Sequence, residues 1–206
     1  MRPQRGETVR PQRGEEVTSP KTREDVVRAA GRLFAERGYH GTSMRDLGQE
    51  LGLLGSSLYS HIEGKDQLLL EVIRRGGAMF AALAEEVVAT GGTAAEQLRR
   101  LVVGHVAIIT EFLDESATFL EEGRFLPAEP RAELVELRDA YEDAYRAVLT
   151  TGARSHEFHN VDDPALTSTL ILSMLNALVR WYRPSGRLSP EEIADGILAL
   201  VMEGVS

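Results

Sequence analysis

Apolar residues return every three or four positions along this chain, and no stretch alternates with period two over strand length beside hairpin signals. A chain patterned in this way has helical faces to bury and no sheet to build, so an all-α fold is predicted. Val26, Val27, Ala30, Leu33 and Phe34 mark one face of a first helix, which runs from near Pro20 to about Arg37, where Gly38 stops it. Met44 to Leu51 forms a short second helix with Leu47 and Leu51 on one face; Thr42 or Ser43 can cap it and Gly52 ends it. Another short helix, over about 55–61, follows a three-residue break, and Gly64-Lys65-Asp66 opens a long one reaching about Ala89. Two short helices joined by a tight, Gly-bearing turn are the helix-turn-helix arrangement, in which the second is the recognition helix.

Beyond Gly91-Gly92, Gly and Pro punctuate five further helices, near 93–113, 115–122, 130–155, 163–183 and 189–204. Asp162-Asp163-Pro164 and Ser189-Pro190-Glu191-Glu192 are strong starts, because each offers a capping side chain followed by Pro at the first helical position.

The 206 residues suffice for one or two domains and a real apolar core. A net charge of −9 argues at first against nucleic acid, but the charge is unevenly spread. Residues 1–66 hold 11 Lys+Arg against 10 Asp+Glu, whereas residues 67–206 hold 12 against 22. DNA responds to the local patch rather than the total, so the first part remains a candidate DNA-binding end. Residues 2–7 and 10–15 repeat Arg-Pro-Gln-Arg-Gly-Glu. This Pro- and Gly-rich stretch has no apolar period and reads as a flexible basic arm over 1–20, able to touch phosphates or a minor groove, or as an ordinary tail. The expected organisation is therefore an arm at 1–20, a helix-turn-helix domain at 21–66 and a second helical domain at 67–206. The absence of cysteine removes disulfides, thiolate zinc sites and cysteine nucleophiles, and is compatible with a reducing cytoplasm. No apolar run approaches the ~18–20 residues of a membrane span, and the polar start lacks the apolar segment of a secretory signal, so a cytoplasmic protein is expected.

Between Thr22 and Leu70 stand Ala29-Ala30, Leu33-Phe34, Gly38-Tyr39, Thr42-Ser43-Met44-Arg45-Asp46-Leu47-Gly48 and Leu51-Gly52. Ser57-Leu58-Tyr59-Ser60-His61-Ile62 and Lys65-Asp66-Gln67-Leu68-Leu69 follow. Over about fifty residues this assembly resembles the DNA-binding domain of TetR-family transcriptional repressors. The resemblance implies a nine-helix, all-α homodimer with three N-terminal helices on operator DNA and a C-terminal ligand-binding and dimerisation domain. The chemistry of the matched positions suits that role. Thr42 and Ser43 stand at a helix N-terminus, where hydroxyls and free N–H groups suit a phosphate. Arg45, one turn in, can reach a guanine edge or clamp a phosphate. Gly55, Ser56 and Ser57 begin the recognition helix, where small residues let the backbone approach the bases. Tyr59, Ser60, His61 and Lys65 match the family's backbone-contacting positions, although Tyr59 could pack on the first helix and His61 could be an interior or capping histidine. Leu54 and Gly55 stand where many members carry polar or basic residues, so the operator sequence is not legible.

Trp181 to Asp195 is similar to the acyl-CoA-responsive, FadR-like group of that family, which represses lipid and aromatic-acid catabolism genes. The resemblance implies an acyl-CoA effector and control of fatty-acid degradation; a hydrophobic drug or an aromatic-acid CoA thioester is the alternative. Leu166, Leu170, Met174, Ala177 and Leu178, with Ile193, Ile197, Leu200 and Val201, line one face of each of the last two helices. Paired across two protomers, such helices form a four-helix dimer interface; within one protomer they would form core. Phe80, Leu83, His105, Ile108 and Phe112 can line an apolar tunnel with Phe119, Phe125, Tyr141 and Tyr145, or fill a plain core. Gly104 inside a helix points to close approach of a ligand or of another helix, and Arg124 and Arg138 are candidates for coenzyme A phosphates.

His156-Glu157-Phe158-His159 with Asp162 and Asp163 sits at a helix end and reads as solvated rather than metal-binding. No His-Glu-x-x-His, Gly-x-Ser-x-Gly or Walker-type loop occurs, and the paired Glu-x-x-His of a ferritin-like site is missing. Neither a catalytic residue nor a resident cofactor or metal is expected. A ligand-responsive DNA-binding repressor accounts for the constellation at 42–65, which an all-α enzyme, a carboxylate metalloprotein or a helical protein-interaction module leaves unexplained.

Overall fold

Short polar and glycine signals set the ends of the helices in the computed structural model, which describes residues 22–53, 58–59 and 62–206. The expected arm at 1–20 and the recognition-helix residues Gly55, Ser56, Ser57, Ser60 and His61 lie outside the described residues. Helix α1 (Arg23–Arg37) begins at Thr22, whose hydroxyl accepts from the Asp25 N–H while the Asp25 carboxylate accepts from the Thr22 N–H. It stops at Gly38, whose φ of 74° suits a residue without a Cβ. Ser43 and Asp46 repeat the reciprocal cap at the head of α2 (Met44–Leu51), and Gly52 closes that helix in the left-handed conformation. The long α3 (Lys65–Thr90) runs from Gly64 to Gly91.

Capping boxes Thr93–Glu96 and Ser189–Glu192 start α4 (Ala94–Glu111) and α9 (Pro190–Val205), and Asp163 caps α7 (Pro164–Asn176) with Pro at the first position. Between them lie α5 (Leu113–Glu121), a 3-10 turn (Glu122–Phe125), α6 (Ala128–Arg154) and the four-residue α8 (Leu178–Trp181). Every regular element among the described residues is helical. The single helix expected over 163–183 is interrupted at Ala177, where the Arg180 N–H bonds back three residues to the Ala177 carbonyl and tightens the turn.

Helix α5 occupies the centre, packed against α1, α3 and α4. Its crossing with α3 is made at backbone distance. A Cβ on Gly76 would stand 2.8 Å from the Phe119 Cβ and 2.9 Å from the Glu115 carbonyl oxygen, so nothing larger than hydrogen fits. On its other side α5 meets α1, where the Thr118 hydroxyl donates to the Gly31 carbonyl at 3.3 Å. Helix α6 packs on α3, α4 and α7, and α9 lies along α4. One apolar cluster runs from Val26 to Val205 through all these contacts.

Adding a branched side chain at Gly76 forces these two backbones apart, because the obstructing atoms are not the flexible end of a side chain. Gly76→Val is expected to destabilise the fold by ~1–3 kcal/mol, the usual cost of overpacking, read as a lower midpoint in urea with unchanged slope.

Candidate functional site

Two regions collect the residues singled out by sequence, one around α2 and one between α3, α5, α6 and α7. At α2, Ser43 and Arg45 are exposed, and Tyr59 is 57% exposed rather than packed on α1. Thr42 is a correction. Its side chain is 1% exposed and its hydroxyl donates to the carbonyls of Leu33 (3.0 Å) and Gly38 (3.1 Å), so it ties the end of α1 down and cannot reach a phosphate. Lys65, the first residue of α3, places its Nζ 4.0 Å over the Tyr39 ring. Gly64 provides no side-chain cap there, so among the described residues the N-cap of α3 offers its first N–H groups no side-chain acceptor.

The second region encloses a cavity of about 470 Å³. Phe80 of α3, His105 of α4 and Tyr141 of α6 line its inner part. The end of α5 (Phe119, Leu120, Glu121) and α6 (Arg138, Glu142) form one wall. Thr169, Leu172, Ser173 and Asn176 of α7 form another, and Ala177, Val179 and Arg180 complete it. Five of the residues expected to line a pocket do so: Phe80, His105, Phe119, Arg138 and Tyr141.

The others expected in the pocket are corrections, each with a local cause. Gly104 and Leu83 face each other across α4 and α3, so the glycine admits a leucine side chain, not a ligand. Phe125 stacks on Tyr39 at 5.7 Å and takes His40 edge-on at 4.5 Å, so its ring is used at the α1–α2 corner and not in the cavity lining, and exposed Arg124 lies over it. Ile108 is packed against the core, Phe112 forms the corner between α4 and α5, and Tyr145 is fully buried behind Tyr141, at 5.5 Å between ring centroids. The α7 contribution was not expected from sequence; Thr169, Ser173 and Asn176 recur at helical spacing among the polar residues of α7, and that spacing is the signal the sequence offers.

The inner part of the cavity is polar but uncharged. His105 Nδ1 lies 3.2 Å from the Tyr141 hydroxyl, and complete burial depresses the imidazole pKa to about 3. Burial also raises the phenols of Tyr141 and Tyr145, so both stay protonated. Charge appears at the wall and rim. Glu121 pairs with Arg180 at 2.9 Å and Glu142 with Arg146 at 2.9 Å. Arg138 donates to the carbonyls of Phe119 and Leu120, which end α5, and makes no ion pair among the described residues; burial lowers its pKa.

The cavity wall continues directly into the α1–α2 corner. One residue after Glu121, the buried Glu122 carboxylate accepts the Tyr39 N–H at 2.6 Å. Tyr39 in turn donates its hydroxyl to Asp66 at the start of α3, and burial and that bond push its phenol up to about 12. Arg75 of α3 adds contacts to Glu24 of α1 (3.2 Å) and Glu115 of α5 (3.8 Å).

His105 makes the fold sensitive to acid. Its folded pKa lies below the unfolded value, so the unfolded chain binds the extra proton as pH falls, and stability drops between about pH 6.5 and 3. This histidine is expected to contribute ~1.4 kcal/mol of lost stability per pH unit within that window. The contribution should be missing from the pH profile of His105→Leu and so appear in the difference between the two profiles; parallel wild-type and variant profiles would show that the ring is not buried neutral.

Three comparisons bear on this arrangement. Residues 26–72 match the family described as "Bacterial regulatory proteins, tetR family", and residues 91–205 match "Tetracyclin repressor-like, C-terminal domain". The chain is 29% identical over 185 residues to the HTH-type transcriptional repressor KstR2 of Rhodococcus jostii, covering 89% of this chain and 91% of that protein. Among solved structures it resembles the TetR-family regulator PfmR of Thermus thermophilus, with a TM-score of 0.81 and 34% identity over 88% of this chain and 98% of that one. It also resembles AibR, solved in complex with isovaleryl coenzyme A and operator DNA, with a TM-score of 0.80 and 26% identity over 89% and 99% of the two chains. The frame of caps, helices and paired regions, together with these matches, makes this chain a member of the TetR family of transcriptional regulators.

Proposed function

We propose that the protein is a dimeric repressor that binds operator DNA through residues 21–66 and is released when an acyl-CoA thioester enters the cavity of residues 67–206. The observation that carries this reading is the continuity from cavity wall to reading head. Phe119, Leu120 and Glu121 touch the cavity, and Glu122 holds the backbone of Tyr39 between α1 and α2. A ligand that displaces the end of α5 acts on that corner and on α3 at once. It shifts the population toward a spacing of recognition helices that no longer matches half-sites about one helical turn apart.

An acyl-CoA suits the cavity on two counts. Its aromatic and aliphatic lining takes an acyl chain, and Arg138, half-buried in the cavity wall without an anionic partner among the described residues, favours a ligand that carries negative charge. AibR, similar in fold, holds isovaleryl coenzyme A. A role in fatty-acid degradation belongs to the same proposal. On the DNA side, Ser43, Arg45 and Tyr59 are exposed, and Lys65 with the start of α3 offers a phosphate site.

For the dimer, Leu166 (56%), Leu170 (60%) and Leu200 (62%) are the large apolar side chains that α7 and α9 leave exposed, with Met174 and Ile197 half-buried beside the core. A second copy would cover them. Leu178, Ile193 and Val201 are corrections: each is buried in its own protomer, and Ala177 lines the cavity, so these four belong to the monomer.

Fluorescence anisotropy on the protein's own upstream DNA, titrated with lauroyl-CoA at fixed salt, tests the whole reading. Release by lauroyl-CoA but not by laurate or free coenzyme A is expected; binding indifferent to the thioester would reject the effector class, and no site in a genome-wide selection would reject the operator. Arg45→Ala is expected to weaken operator binding by ~1–3 kcal/mol. Leu200→Glu is expected to yield monomers by sedimentation with helicity retained, and an intact dimer would move the interface elsewhere.

A further inference from the structure

His105 combines properties that an ordinary core histidine lacks. It is 1% exposed, lines the cavity, and its Nε2 has no hydrogen-bond partner among the described residues. Asn176 lies close enough to the ring to favour its protonated form, yet no hydrogen bond of good geometry joins the two. A leucine or phenylalanine would fill the same wall, against the Phe80 ring at 4.9 Å, without leaving a buried polar atom unsatisfied.

The direction of the hydrogen bonds follows from what stands behind the ring. Tyr145 is fully buried, its hydroxyl makes no hydrogen bond of good geometry among the described residues, and the polar group it interacts with is the Tyr141 hydroxyl. An unused buried O–H is costlier than an unused lone pair, so Tyr145 points its proton at Tyr141 and Tyr141 points its own at His105 Nδ1, 3.2 Å away. With Nδ1 accepting and the ring neutral, the remaining proton sits on Nε2. The relay therefore ends on a donor that no acceptor among the described residues takes up with good geometry; Asn176, itself a cavity-lining side chain, is the polar group beside it.

We propose that His105 determines which effectors this cavity accepts, by donating from Nε2 to a carbonyl oxygen in the enclosed part of the ligand. The proposal rests on the cavity being the effector site. Two carbonyls have this chemistry: the thioester carbonyl itself, and an oxo group further along an acyl chain or ring. A plain hydrocarbon packed on the same spot would leave Nε2–H buried and unpaired, so saturated chains placed there are disfavoured.

The full-length protein, titrated calorimetrically with matched probes, separates these cases. The probes are decanoyl-CoA, its thioether S-decyl-CoA, 3-oxodecanoyl-CoA, and 2-undecanone as a carbonyl without coenzyme A. A wild-type preference of ~10-fold or more for decanoyl-CoA over the thioether, abolished in His105→Leu and partly restored in His105→Gln, assigns the contact to the thioester. Equal binding of those two but ~10-fold tighter binding of the 3-oxo ester, again lost in His105→Leu, assigns it to the chain. Binding of 2-undecanone to wild type but not to His105→Leu, with no coenzyme A ester bound, would overturn the acyl-CoA reading and leave this one standing. Equal responses of wild type and variants to every probe, nil responses included, would overturn it. Imidazole ¹⁵N shifts of the wild-type protein provide a readout that needs no variant: a neutral ring protonated at Nε2 is expected, and protonation at Nδ1 would refute the proposed donor.

Discussion

The crossing of α3 and α5 at Gly76 is the contact on which the remaining geometry depends. With no side chain at that position, the α5 backbone sits against α3, and Phe119 stacks on Phe80 at 5.5 Å. That placement does three things together. It makes the C-terminal end of α5 a wall of the cavity, it sets Thr118 against the α1 carbonyl of Gly31, and it carries Glu122 to the Tyr39 N–H. A few ångströms more between these helices would separate the cavity from the α1–α2 corner.

Charge and polarity are sorted along the cavity. Its inner part holds His105 and Tyr141 in neutral form, with Tyr145 behind them, because burial opposes ionisation of all three. The wall and rim hold Arg138, Glu121, Arg180 and Glu142. The rim pairs Glu121–Arg180 and Glu142–Arg146 are partly exposed, so their contribution to stability is small. Arg138 differs: its guanidinium donates to the carbonyl end of α5, where a positive charge offsets the helix dipole and tethers that end to α6.

Local signals suffice where the chain decides its own conformation. Gly38, Gly52 and Gly91 end helices because each takes a positive φ, and the caps at Ser43, Asp163 and Ser189 satisfy free N–H groups within three residues. Where two neighbours could serve, the sequence left the choice open. Ser43 caps α2 because its neighbour Thr42 is drawn under the end of α1 by two carbonyls nine and four residues back. The same limit explains the pocket. Phe80, Phe119 and Phe125 look alike in sequence, but Phe125 follows the 3-10 turn out toward Tyr39 and His40. Gly104 is likewise explained only by the leucine opposite it. The glycine pair at 76–77, unusual inside a long helix, was a legible sign of close helix contact that the periodicity of its neighbours obscured.

What the sequence determined by itself was therefore the helical class, the capped and glycine-ended helix termini and the family constellation between Thr22 and Leu70, since each depends on residues within one or two turns. Tertiary structure alone decided which face of each helix is core, cavity or open surface. Leu178, Ile193 and Val201 share the spacing of Leu166, Leu170 and Leu200, yet the first three are covered by their own chain and the last three are not. Periodicity defines an apolar stripe but not the neighbour that covers it. That neighbour is set by contacts between residues distant in sequence, beginning with a glycine in α3 that lets α5 approach.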